Sequence, residues 1–74
     1  MITQIGLVAG DIWNYLDVHK GTSQLESIIS GLEKERDLVL MSIGWLAREG
    51  HVILEGDSTN YVVRLVSKSA RDRL

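Results

Sequence analysis

The chain has 74 residues, a formal net charge of −2 at pH 7 and neither cysteine nor proline. That length makes one domain with one modest core. The absence of cysteine excludes disulfides and thiolate metal sites, and no apolar run approaches the roughly 20 residues that span a bilayer. Met1-Ile2-Thr3-Gln4-Ile5 has no basic segment of the kind that opens a secretory signal, so the expected location is the cytoplasm and no membrane partner is expected.

The charge is unevenly spread. Up to Val66 there are five bases (Lys20, Lys34, Arg36, Arg48, Arg64) against nine acids. Residues 67–74 hold Lys68, Arg71 and Arg73 against Asp72. The expected organisation is therefore an acidic domain over 1–66 and a short basic C-terminal tail over 67–74. A domain that grips a phosphate backbone usually carries a basic face, and this one shows no obvious candidate.

Periodicity gives the elements in chain order. Ile5, Val8, Ala9, Ile12, Trp13 and Leu16 recur at helical spacing and predict a first helix over about residues 3–19, with Thr3 as N-cap. Lys20-Gly21 ends it. Thr22 or Ser23 is the expected cap of a second helix. With Ser23 as the cap, Glu26 completes a capping box. Leu25, Ile28 and Ile29 form the inner stripe of this helix, and Gly31 stops it. A polar turn, Glu33-Lys34-Glu35, leads to a third helix ending at Glu49-Gly50. The period then changes to two. Val52 and Leu54, then Tyr61, Val63 and Leu65, alternate around the turn-rich Gly56-Asp57-Ser58-Thr59-Asn60, which predicts a β-hairpin. Those five residues are expected inward, with Ile53, Val62 and Val66 outward beside Arg64. The fold class is mainly α with a β-hairpin (α+β), in the order of a winged helix-turn-helix: three helices plus a two-stranded wing.

The run Ile43-Gly44-Trp45-Leu46-Ala47-Arg48-Glu49-Gly50-His51-Val52 resembles the signature of a small prokaryotic winged helix-turn-helix family, whose most specific part is Gly-Trp-Leu-Ala-Arg-Glu-Gly. Ile5-Gly6 and Ile12-Trp13 are similar to the start of that family, and the resemblance covers nearly the whole chain. It departs between the second and third helices. There Gly31-Leu32-Glu33-Lys34-Glu35-Arg36 lacks the family's usual serine and is longer. The resemblance implies the same fold and implies no activity, because function resides in sites rather than folds.

The third helix carries more apolar surface than its fold needs. At about 100° per residue, Val39, Ser42, Ile43 and Leu46 share the face expected to pack on the other helices. Opposite lie Asp37, Met41, Gly44 and Arg48. Leu38 and Trp45 take one flank, and Leu40 and Ala47 take the other. A helix apolar all round is usually buried on more than one side. Two readings are open for Trp45. It is either a core residue tucked against the wing or the tail, or part of an association surface with Leu38, Leu40, Met41 and Gly44. Trp and Met are enriched in interface cores, and a two-fold homodimer is the simplest assembly. The expected partner is this chain itself or another protein.

A DNA-binding, transcription-regulator reading stands beside it. Its candidates are Ser23 and Gln24 at the start of the second helix, then Lys34, Arg36 and Arg48, and finally Lys68, Arg71 and Arg73 in the tail. Arg36 is the residue placed to pair with guanine, and the others to hold phosphates. Interleaved Glu33, Glu35 and Asp37 weaken this reading, as does a wing tip with Glu55 and Asp57 and no base. Enzyme chemistry finds no support. His19 and His51 stand alone without metal-ligand spacing. Ser23, Ser27 and Ser30 lie in no nucleophile motif, and no glycine-rich loop cradles phosphate. No cofactor, metal or small-molecule substrate is expected.

Overall fold

The computed structural model describes residues 2–57 and 59–66. Its elements in order are α1 (Ile2–Val18), β1 (Thr22–Gln24), α2 (Leu25–Leu32), α3 (Arg36–Arg48), β2 (Val52–Glu55) and β3 (Val62–Leu65). The expected winged helix-turn-helix order is present, with one addition. Thr22–Gln24 forms a strand, and the sheet has three strands in the order β1-β3-β2, all antiparallel. Central β3 is the reason. Its residues pair with β2 through Ile53↔Arg64 and Leu54↔Val63, and with β1 through Thr22↔Arg64 and Ser23↔Val63.

Helix α1 is the spine of the core. Val8, Ala9, Ile12 and Leu16 are buried along one face, the spacing of a helix that presents a single apolar stripe. It ends where Gly21, at φ 85°, takes a backbone conformation that side chains disfavour. The Gly21 amide then donates to the Leu16 carbonyl at 2.6 Å. Thr3, expected as the N-cap, lies inside the first turn. On α3 the buried residues are Val39, Ser42, Ile43 and Leu46, the face expected from periodicity. The Ser42 hydroxyl donates to the Leu38 carbonyl at 2.8 Å, so its burial leaves no polar atom without a partner. Leu25 and Ile28 of α2, Val52 of β2 and Val63 of β3 complete the core.

The start of α2 differs from expectation. Its N-cap is Gln24, whose side chain makes no capping bond. The Ser23 hydroxyl donates to the Gln24 carbonyl instead, and Glu26 turns away to Arg36, so the expected capping box does not form. The free amides of the first turn are taken by the wing. Asn60 Oδ1 accepts from the Glu26 amide at 3.0 Å, and the Tyr61 carbonyl accepts from the Leu25 amide at 2.9 Å. Pulling Thr22–Gln24 into the sheet costs α2 its local cap, and the same sheet supplies a long-range one.

Two inward assignments are corrected. Trp13, read as part of the α1 core stripe, is 42% exposed, because its Cα direction falls on the flank beside Ile2 and Gly6 rather than on that of Ile12 and Leu16. Leu54 is likewise 42% exposed. It lies on the inner face with Val63, but β2 is an edge strand. Ile53 and Arg64 are exposed on the outer face as expected, whereas Val62 and Val66 are half-buried. The basic tail, with Lys68, Arg71 and Arg73, lies outside the described residues. Among the described residues, no helix is long and apolar enough to cross a membrane.

Candidate association surface

The flank of α3 nearest α1 carries Leu38, Met41 and Trp45. Packed beside it, α1 turns Ile2, Ile5, Gly6, Ala9, Gly10 and Trp13 to the same side. The result is an open groove of about 440 Å³ lined by Gly6, Ala9, Gly10, Trp13, Trp45, Leu46 and His51. It continues over Ile2 and Ile5. None of these residues carries a formal charge. Trp45 is 46% exposed and Ile2 is 86% exposed. His51 closes the far end, its ring centroid 6.1 Å from that of Trp45.

Gly6, Gly10 and Gly44 are unusual for helical positions. Among the described residues, a Cβ built at any of them meets nothing within 4 Å, and none has a positive φ. Neither backbone conformation nor packing among the described residues calls for glycine there, although each costs about 1 kcal/mol of helix propensity relative to alanine. Gly31 is the opposite case. A Cβ there would lie 2.5 Å from the Tyr15 ring.

The five residues expected at an association surface divide. Met41, Gly44 and Trp45 are exposed. Leu38 is half-buried and lines a cleft with Gln4, Glu33, Lys34, Glu35, Asp37 and Met41. Leu40 is half-buried against the core on the opposite flank. Trp13, Gly6 and Gly10 escaped the sequence reading. Their signal was a second stripe on α1, running through Ile2, Gly6, Gly10 and Trp13 beside the core stripe.

Among the described residues, the candidate DNA-contacting side chains Ser23, Gln24, Lys34, Arg36 and Arg48 do not come together in one basic surface. Arg36 is bound to Glu26 by two parallel hydrogen bonds, Nη1 to Oε1 at 2.9 Å and Nη2 to Oε2 at 2.7 Å. That bidentate pairing holds the Glu26 carboxyl below the usual glutamate range and raises Arg36 further. Arg64 on the wing is tied in the same way to Glu55, at 2.9 and 2.8 Å, and lowers the Glu55 carboxyl. Lys34 and Arg48 are exposed at opposite ends of α3, with Asp37, Met41 and Gly44 between them. Ser23 and Gln24 sit in β1 and at the start of α2. His19 stacks on Tyr15 at 4.0 Å and its Nδ1 lies 2.7 Å from the Tyr15 carbonyl. Among the described residues, no cluster of His, Asp and Glu could hold a metal ion.

Comparison with known proteins places this architecture. The family model for the winged helix-turn-helix domain DUF2582 matches residues 1–65. The uncharacterized protein MJ1608 of Methanocaldococcus jannaschii is 36% identical over 63 residues, covering 84% of this chain and 90% of its own. No solved structure matches. With three helices, a small antiparallel sheet and a match over nearly its whole length, the chain belongs to the DUF2582 family of winged helix-turn-helix domains.

Proposed function

We propose that this domain is a non-catalytic association module that binds protein through the groove between α1 and α3. The observation that carries this reading is the pair of half-exposed tryptophans, Trp13 and Trp45, beside one uncharged groove. Exposed apolar patches that are contiguous rather than scattered mark interaction sites, and Trp is enriched where interfaces are fully buried. The engagement of Arg36 on α3 and Arg64 on the wing by carboxylate partners argues in the same direction, because it leaves Arg48 as the base of α3 without an ion pair among the described residues.

Site-specific photo-cross-linking in cells tests the reading. A photoreactive residue at position 45 or 13 is expected to give protein adducts, and one at exposed Ser30 of α2 is not. Absence of adducts at 45 and 13, or equal yield at all three positions, would overturn the proposal.

A transcription-regulator-type DNA contact is the second reading. It is favoured by the helix-turn-helix architecture and by Lys34 and Arg48, which make no ion pair among the described residues. Titration with mixed-sequence duplex at about 50 mM salt, where phosphate contacts are strongest, decides it. The association reading expects no binding there. Binding that weakens for Lys34→Ala and Arg48→Ala would favour DNA.

A further inference from the structure

The start of α3 carries an acidic cleft that the association groove does not use. Glu33, Glu35 and Asp37 outnumber Lys34 around a hollow of about 530 Å³, with Leu38 and Met41 in its lining. Arg36, the other base of this stretch, is bound to Glu26. None of the three acids makes an ion pair among the described residues. Met41 is 41% exposed, so a large apolar side chain stands beside carboxylates without counter-charges. Such a surface fits long basic side chains, whose aliphatic stems cover apolar atoms while their charged heads stay in water.

The chain supplies such a segment. Residues 67–74 hold Lys68, Arg71 and Arg73 against Asp72, whereas residues 1–66 hold nine acids against five bases. The segment leaves the fold beside the C-terminal end of α3. The His51 amide donates to the Leu46 carbonyl at 2.9 Å, and the Val66 amide donates to the His51 carbonyl at 3.0 Å. From Leu46 back to Asp37 is about 14 Å along the helix axis, and eight extended residues span up to about 26 Å. Arg71 and Arg73 are therefore within reach of the cleft. Between the two ends lies Gly44, exposed and with nothing within 4 Å of its Cβ position among the described residues, which lets a crossing backbone approach closely. A tether this short keeps the local concentration of the bases in the millimolar range, so weak ion pairs suffice.

We propose that residues 67–74 fold back in cis along the exposed strip of α3, over Gly44, and set Arg71 and Arg73 among Glu33, Glu35 and Asp37. This strip is the one a helix-turn-helix offers to DNA, so the segment stands between α3 and a duplex. The inference goes beyond association through the groove and does not rest on it, because Trp13 and Trp45 stay uncovered.

Paramagnetic relaxation enhancement on the full chain is the test. The chain has no cysteine, so a nitroxide on Leu74→Cys is a unique label. Broadening is expected at the amides of Asp37, Leu38 and Met41 and not at Ser30 of α2. It is expected to be lost in about 0.5 M salt, where exposed charges are screened, and lost in the Glu35→Lys/Asp37→Lys variant, whose amide spectrum also reports that the fold is kept. A mixture of isotope-labelled chain with spin-labelled, isotope-free chain is expected to show none. No broadening at Asp37, Leu38 and Met41, broadening that survives both salt and the charge reversal, or equal broadening in the mixture would overturn the proposal and leave the groove reading untouched.

Discussion

Glu33 holds a left-handed backbone, φ 56° and ψ 36°, where its amide donates back to the Ile29 carbonyl and closes α2. A residue with a Cβ pays roughly 1 kcal/mol for that conformation. Glu33→Gly is therefore expected to raise stability by about 0.5–1 kcal/mol in urea denaturation. Two residues away, Gly31→Ala is expected to do the reverse. The new methyl would stand 2.5 Å from a Tyr15 ring held by its stack on His19 and by its hydroxyl, which donates to the Ser27 carbonyl at 3.1 Å. Displacing that ring costs about 1–3 kcal/mol, against about 1 kcal/mol gained in helix propensity, so a net loss near 1 kcal/mol is expected. At this scale the sequence was legible where periodicity was strong. Val39, Ser42, Ile43 and Leu46 are buried as their spacing demands. It was misleading at Trp13, where hydrophobicity pointed inward and the helical angle pointed to the flank.

Among elements, β1 was invisible in the sequence for a physical reason. Thr22-Ser23-Gln24 is short and polar, without alternation, and becomes a strand only because β3 lies alongside it. The same non-local sheet replaces the local cap of α2 with Asn60. Asn60→Ala is expected to lower stability by about 0.5–2 kcal/mol, the usual cost of a lost N-cap. Urea unfolding is again the readout, and no change would show that water serves the Glu26 amide equally well. The two Arg–Glu pairs join elements as well: Arg36 with Glu26 links α3 to α2, and Arg64 with Glu55 links β3 to β2. Both carboxyls titrate below the usual glutamate range. Their contribution is therefore present above the ordinary glutamate value of about 4.3 and is lost as pH falls through the depressed folded values. Glu26→Gln is expected to flatten that part of the stability curve between neutral pH and about pH 3, by a small amount because the pair is exposed.

At the level of the whole molecule, the fold and the surface point to different partners. A winged helix-turn-helix offers α3 to a DNA groove. Here the bases of α3 are sparse and one is engaged, while the flank shared with α1 is uncharged and carries two tryptophans. The sequence exposed the surplus apolar surface on α3 but not its other half, because that half lies on α1 and only packing brings the two stripes together. Site-specific photo-cross-linking with the reactive residue placed on either surface examines that claim most directly. Protein adducts are expected at positions 13 and 45 and not at positions 34 and 48. No protein adducts at 13 and 45, or DNA adducts concentrated at 34 and 48, would contradict it.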